Sequence, residues 1–211
     1  MYPDENHNNL EDLDMESRIL AAAENLFLQK GFKAATTTEI AKIVGCNQAL
    51  VHYYFRTKEK LFEKVFQTKI MIFADSFLGT GDSDGTFDER MRKRIGAHYD
   101  IMRDNPRLPL FIINELVSNP SRLEALKSVI GDMPELLFKH LQNEIDVECA
   151  RGSIKPIKAI DLFLNILSLN AATFIFCPVI QVILNKDRSE IESMITHRRE
   201  LIIDIILKSL H

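Results

Sequence analysis

The sequence predicts an all-α protein, with a small N-terminal three-helix unit built around a helix-turn-helix and a larger helical body behind it. Three observations carry this. Leu, Ile, Ala, Lys and Glu dominate the 211 residues, while Gly and Pro are sparse at 8 and 7, a mix that favours helices over a sheet with frequent turns. Apolar residues recur at helical spacing in long runs, and cap and stop residues stand where those runs begin and end. Hydrophobic residues make up 46% of the chain, enough to bury a sizeable core.

The elements follow in order. In residues 16–30, Ile19, Ala23, Leu26 and Phe27 fall on one helical face, and Gly31 is placed as the stop. Thr36 with Glu39 three residues later reads as a capping box, with Ile40, Ala41 and Val44 facing inward and Gly45 ending a short helix. Asn47 then caps a third helix, NQALVHYYF, in which Val51 and Phe55 pack inward. Two short helices joined by Gly-Cys-Asn form a helix-turn-helix pattern. A fourth helix starts near Thr57, with Leu61, Phe62, Val65, Phe66, Ile70 and Phe73 or Phe77 as its stripe, and runs to a loop over 79–85. Further helices are expected over about 87–104, 107–118, 121–150 with an interruption near Gly131 and Pro134, 156–184 with a bend at Pro178, and 187–210. The last of these carries Ile191, Ile195, Ile202, Ile205 and Ile206 on one side. The expected organisation is an acidic disordered tail over 1–13, the helix-turn-helix domain over 14–60 and the helical body over 61–211.

The formal net charge of −4 is unevenly spread. Residues 1–15 carry −5, whereas residues 16–60 carry +3, so a modestly basic segment follows an acidic tail. Three cysteines, Cys46, Cys149 and Cys177, lack ligand-like spacing, which argues against a disulfide framework or zinc site and for a reducing, cytoplasmic setting. The acidic N-terminus is no signal peptide. Leu162 to Leu184 holds 23 residues without a charge. Its Asn165, Asn170 and Gln181 would be costly in lipid, so it is expected to be buried inside the protein or its dimer interface, with no membrane contact. No Gly-rich phosphate loop, HExxH or paired-Cys motif is present, so neither an enzyme nor a cofactor or metal site is expected.

The segment RILAAAENLFLQKGFKAATTTEIAKIVGCNQALVHYYFRTKEKLFEKVF resembles the DNA-binding domain of the TetR family of bacterial regulators. The pieces are F-x-x-x-G-F closing the first helix, then T-x-x-E-I-A-x-x-x-G, a third helix ending H-Y-Y-F, and x-T-K-E-x-L. The residues alone point the same way. A recognition helix needs small or polar side chains at its leading end to reach base edges in the major groove. Asn47, Gln48, Ala49, Leu50 and His52 stand there, with Gln48 suited to adenine as a bidentate partner and Ala49 to a thymine methyl. Thr36, Thr37 and Thr38 offer hydroxyls or backbone N–H groups to phosphates, although Thr36 suits a pure cap better. Tyr53 and His52 can donate as well. The resemblance implies that Lys58 clamps the DNA backbone.

One such helix reads only a few base pairs, so double-stranded operator DNA calls for two copies. The resemblance implies a homodimer through the two C-terminal helices, with Ile157, Ile160, Leu164, Leu167 and Ala171 as one stripe. It also implies a repressor released from its operator by a small effector in the helical body. Phe73, Phe77, Tyr99, Met102, Phe111, Asn114, Phe138, Phe163, Asn170 and Phe174 are the candidate ligand-binding residues, a set suited to a hydrophobic or amphipathic molecule. Two alternatives stand beside this: a ligand-independent DNA-binding protein of the same fold, and a helical enzyme or carrier.

Overall fold

A computed structural model describes the backbone of residues 5–78 and 85–211, and the side chains of 14–72, 85–124, 126–128 and 130–211. Among these residues the structure is ten α-helices with no strand. The expected loop over 79–85 lies outside the described residues except for Gly85.

Two compact units divide at Ile70 and Met71. The expected boundary at 60/61 falls ten residues earlier. The reason is packing: Leu61, Phe62, Val65, Phe66 and Ile70 are all buried. The Phe62 ring meets Phe27 at 5.0 Å and Phe32 at 4.9 Å, both edge-on.

In the first unit, α1 (Glu5–Ala34) reaches back into the acidic segment whose composition suggests disorder. Gly31 breaks its helical path with φ 75°, so the expected stop is a kink within a longer element. Helix α2 (Thr37–Val44) starts at the expected capping box and ends at Gly45, whose φ of 80° is the left-handed conformation such a stop requires. Helix α3 (Gln48–Phe55) is capped by Asn47, whose Oδ1 accepts from the Leu50 N–H at 2.8 Å. Helix α4 (Lys58–Leu78) follows. Arg18 of α1 donates to the Val44 carbonyl at 2.8 Å, and Lys69 of α4 pairs with Glu24 of α1 at 2.6 Å. These bonds hold the short α2–α3 pair and α4 against one scaffold helix.

The second unit holds α5 (Phe87–Asp104), α6 (Leu108–Ser118), α7 (Pro120–Ile130), α8 (Met133–Ala150), α9 (Ala159–Ile183) and α10 (Arg188–Leu210). The interruption expected near Gly131 separates α7 from α8. Its core joins Met91, Ile95, Tyr99 and Met102 of α5 to Leu141 and Ile145 of α8, Leu162, Ile166 and Phe174 of α9, and Ile202 and Ile206 of α10. Charged clasps reinforce this packing. Arg94 meets Glu144 at 2.7 Å, and Arg199 meets Asp100 at 2.9 Å. Gly96 lets Arg199 lie against α5, because a Cβ there would collide with the guanidinium. Burial raises the Glu144 pKa, but the Arg94 hydrogen bonds and the Arg94 and Arg90 charges outweigh it and hold the carboxyl below its ordinary 4.5.

Helix α9 is long and apolar enough to cross a membrane, and 33% of its most apolar window is buried in the chain. Burial inside the chain, one of the two placements expected of it, is therefore only partial. Ile160, Leu164, Phe176, Val179, Val182 and Ile183 are exposed, as are Leu201 and Ile205 of α10. Ala171, expected on the dimer stripe, is buried in the chain's own core, and Ile157 and Leu167 are half-buried against it. Ile205, expected on one side with Ile191, Ile202 and Ile206, is 44% exposed, because the buried face of α10 runs through Ile191, Ile202, Ile203 and Ile206.

Candidate nucleic-acid interface

The leading end of α3 is an exposed surface carried on a rigid base. Val51 and Phe55 are buried on its inner side, as are Thr37, Ile40, Ala41 and Val44 of α2. That burial fixes the rotation of α3, so Asn47, Gln48, Ala49, His52 and Tyr53 all face solvent and Leu50 is half-exposed. Tyr53 is 71% exposed, a phenol held away from the core. The Tyr54 ring packs edge-on beside it at 5.3 Å and is half-buried. Cys46, in the turn before α3, is also half-buried.

Hydrogen bonds orient the polar groups of this surface. Gln48 Nε2 donates to Thr37 Oγ1 at 2.9 Å, and Thr38 Oγ1 donates to Gln48 Oε1 at 3.2 Å. Gln48 Nε2 also lies 3.3 Å from His52 Nε2, and His52 Nδ1 lies 3.0 Å from the Arg56 carbonyl oxygen. Arg56 has φ 61° and ψ −56°, and the Thr57 N–H closes back onto the Phe55 carbonyl at 2.6 Å. That is a γ-turn of the strained kind, rare for a residue with a side chain. Nothing in the sequence around Arg56 announces it.

Two expected DNA-contact residues are engaged elsewhere. The Thr36 hydroxyl accepts from the Glu39 N–H and donates to the Glu39 carboxylate, each at 3.1 Å, so its work is capping. Lys30, pairing at 2.6 Å, and the Thr36 hydroxyl hold the Glu39 carboxyl below its ordinary pKa. Lys58 Nζ donates to the Phe32 and Ala35 carbonyls, each at 3.0 Å, and lies 4.3 Å from the centre of the Phe32 ring. It therefore ties the end of α1 to the start of α4, keeping one ammonium N–H for another acceptor. Lys33, Lys42 and Arg56 are exposed and supply positive charge in this unit.

The candidate ligand residues of the second unit differ in burial among the described residues. Tyr99, Met102, Phe111, Asn170 and Phe174 are buried, Phe138 and Phe163 are half-buried, and Asn114 is exposed. Tyr99 and Phe174 meet across α5 and α9 at 5.0 Å, and Phe138 and Phe163 meet across α8 and α9 at 5.3 Å. Asn114 is turned out because Phe111, Ile112 and Glu115 take the inner face of α6. The side chains of Phe73 and Phe77 lie outside the described residues. Tyr99 Oη donates to the Ile195 carbonyl at 2.6 Å, and burial pushes its pKa up to about 12. Two open cavities, of about 530 Å³ between α9 and α10 and about 410 Å³ beside Arg90 and Arg151, are lined by other residues.

An all-α chain with a capped helix-turn-helix, an exposed polar recognition face and a separate helical body defines the class: a helix-turn-helix regulator. Residues 19–65 match the family model described as bacterial regulatory proteins, tetR family. An uncharacterized HTH-type transcriptional regulator of Bacillus subtilis, YhgD, is 25% identical over 144 residues, 68% of this chain and 74% of that one. The biofilm operon icaADBC HTH-type negative transcriptional regulator IcaR of Staphylococcus epidermidis is 27% identical over 131 residues, 62% of this chain and 67% of its own. Among solved structures, a tetR-family regulatory protein from Rhodococcus RHA1 superposes with a TM-score of 0.66 at 21% identity, over 91% of this chain and 96% of that one, a likeness of fold. Over residues 19–65 the chain carries the domain of the tetR family of bacterial regulatory proteins, and it is a transcriptional regulator rather than an enzyme.

Proposed function

We propose that the protein is a homodimeric cytoplasmic repressor whose α3 enters the major groove of operator DNA, and that a small hydrophobic or amphipathic ligand in the second unit releases it. The observation that carries this is the exposed leading end of α3, with Gln48, Ala49 and His52 outward and Val51 and Phe55 locked inward. The backbone N–H of Thr38 and the side chains of Asn47 and Tyr53 flank it as phosphate donors, and the spare N–H of Lys58 adds one more. Dimerisation is supported by the exposed apolar face of α9 with Leu201 and Ile205 of α10, a surface more readily covered by its own copy than left in water.

Ligand control is supported by the buried Asn170, whose Oδ1 accepts no hydrogen bond among the described residues and could take one from a ligand. Helix α4 carries residues of both units, so a displacement of its second half would pass to the helix-turn-helix. The test is duplex selection followed by salt titration of the bound operator, with sedimentation to count copies. Strong salt dependence and two chains per site are expected. Val179→Glu should give monomers and loss of operator binding. Ligand should weaken binding about 5–150-fold. A salt-independent affinity, or a monomer that binds as tightly as the parent, would refute the corresponding part.

A further inference from the structure

We infer that Gln48 reads its base as a hydrogen-bond acceptor, selecting cytosine or adenine, and that His52, oriented by the Arg56 carbonyl, is the positioning residue that fixes this polarity. This rests on the proposal that α3 reads DNA, and it replaces the bidentate adenine contact that a free glutamine would make.

The argument is one of counting donors and acceptors. A primary amide has two N–H donors and one oxygen with two lone pairs, and a neutral imidazole has one donor and one acceptor nitrogen. The Arg56 carbonyl can only accept, so at 3.0 Å it requires the proton on His52 Nδ1. In the neutral ring Nε2 is then bare and can only accept. The amide group 3.3 Å away must present its nitrogen, because the reversed amide would set Oε1 against the bare Nε2, lone pair to lone pair. The second amide proton goes to Thr37 Oγ1 at 2.9 Å. Thr38 Oγ1 supplies one hydrogen bond to Oε1 at 3.2 Å. Both Gln48 donors are thus spent inside the protein, and one lone pair of Oε1 remains on an exposed side chain.

In the major groove, adenine N6 and cytosine N4 offer N–H donors, while guanine O6 and thymine O4 offer acceptors. The open lone pair therefore suits A or C and opposes G or T. A bidentate bond to adenine would also need an amide proton for N7, which means giving up Thr37 or His52. The strained turn at Arg56 has a purpose in this scheme, since it brings the carbonyl that sets the ring.

The experiment uses the full-length protein and its selected operator. Gln48→Ala first identifies the base pair at which discrimination is lost. At that position A and C should bind within about threefold of each other, and each about tenfold tighter than G or T. Replacing that adenine by 7-deazaadenine, which lacks N7, should leave the affinity of the parent unchanged. His52→Ala, at an exposed position, frees one amide proton. It should make A preferred over C and make 7-deazaadenine about tenfold weaker than adenine, with the salt slope unchanged. His52→Asn, which also offers an acceptor at that place, should restore part of the parent profile. A tenfold 7-deaza penalty in the parent, or a base profile unmoved by His52→Ala, would overturn the inference while leaving DNA reading intact. Failure to bind any duplex in a salt-dependent way would overturn DNA reading, and this inference with it.

Discussion

Mild acid should weaken the second unit through His98, starting above the pH range in which carboxylates titrate. His98 lies on α5 with 1% of its surface exposed, and burial pulls its pKa from 6.5 down to about 4. Asn170 Nδ2 donates to the Ile95 carbonyl at 3.2 Å and to His98 Nδ1 at 3.0 Å. The ring therefore accepts at Nδ1, and protonation there would replace a hydrogen bond with two opposed protons. The sign follows from proton counts. Between the two pKa values the unfolded chain holds a proton that the folded chain refuses, so stability is full above pH 6.5 and is lost as pH falls toward 4. From about pH 7.5 to about pH 5 the loss from this group is about 2 kcal/mol. His98→Gln keeps an acceptor for Asn170 and removes the titration. Urea unfolding of both proteins at fixed concentration should show the parent losing about 2 kcal/mol more than the variant over that interval. His211 acts in the opposite sense. Its bonds to Asp88 and to the Ser153 carbonyl raise its pKa, giving stability that is lost as pH rises, but this is common to both proteins and cancels. Parallel pH profiles, or an imidazole resonance of His98 titrating near 6.5, would refute the reasoning.

Two further changes test the clasps. Thr36→Ala removes a capping box and should cost about 1 kcal/mol, read as a lower Tm, with the base preference of the bound operator unchanged. Arg94→Met leaves the half-buried Glu144 without its closest partner and should cost about 2 kcal/mol, whereas adding Glu144→Leu should recover most of that loss. Equal destabilisation of the single and double variants in chemical unfolding would show that the pair is not the source.

Much of the fold was legible because its signals are local. Thr36 with Glu39, Gly45 and Asn47 fix α2 and α3 through bonds spanning three or four residues, and these appear where the sequence places them. Val51 and Phe55, four apart, predicted the inner face of α3 and so the outer one. The candidate site was read less completely. Thr37 and Thr38 were expected to face phosphates, but their hydroxyls are bonded to Gln48, ten or eleven residues away. Lys58 was expected at the DNA backbone, but it reaches carbonyls 23 and 26 residues earlier in the chain. Such bonds leave no periodic trace in the sequence.

The amino-acid order by itself settled where α2 and α3 begin and end and that they make the turn, because capping and apolar spacing act within one or two turns of chain. Only the tertiary structure decided which apolar stripe is spent inside one chain. Ala171 went into the core while Ile160, Leu164 and Val179 stayed outside, since burial depends on which neighbouring helix arrives at each face. The same holds for Gln48. Its residue type supplied both a donor and an acceptor, and contacts with Thr37, Thr38 and His52 left one acceptor facing outward.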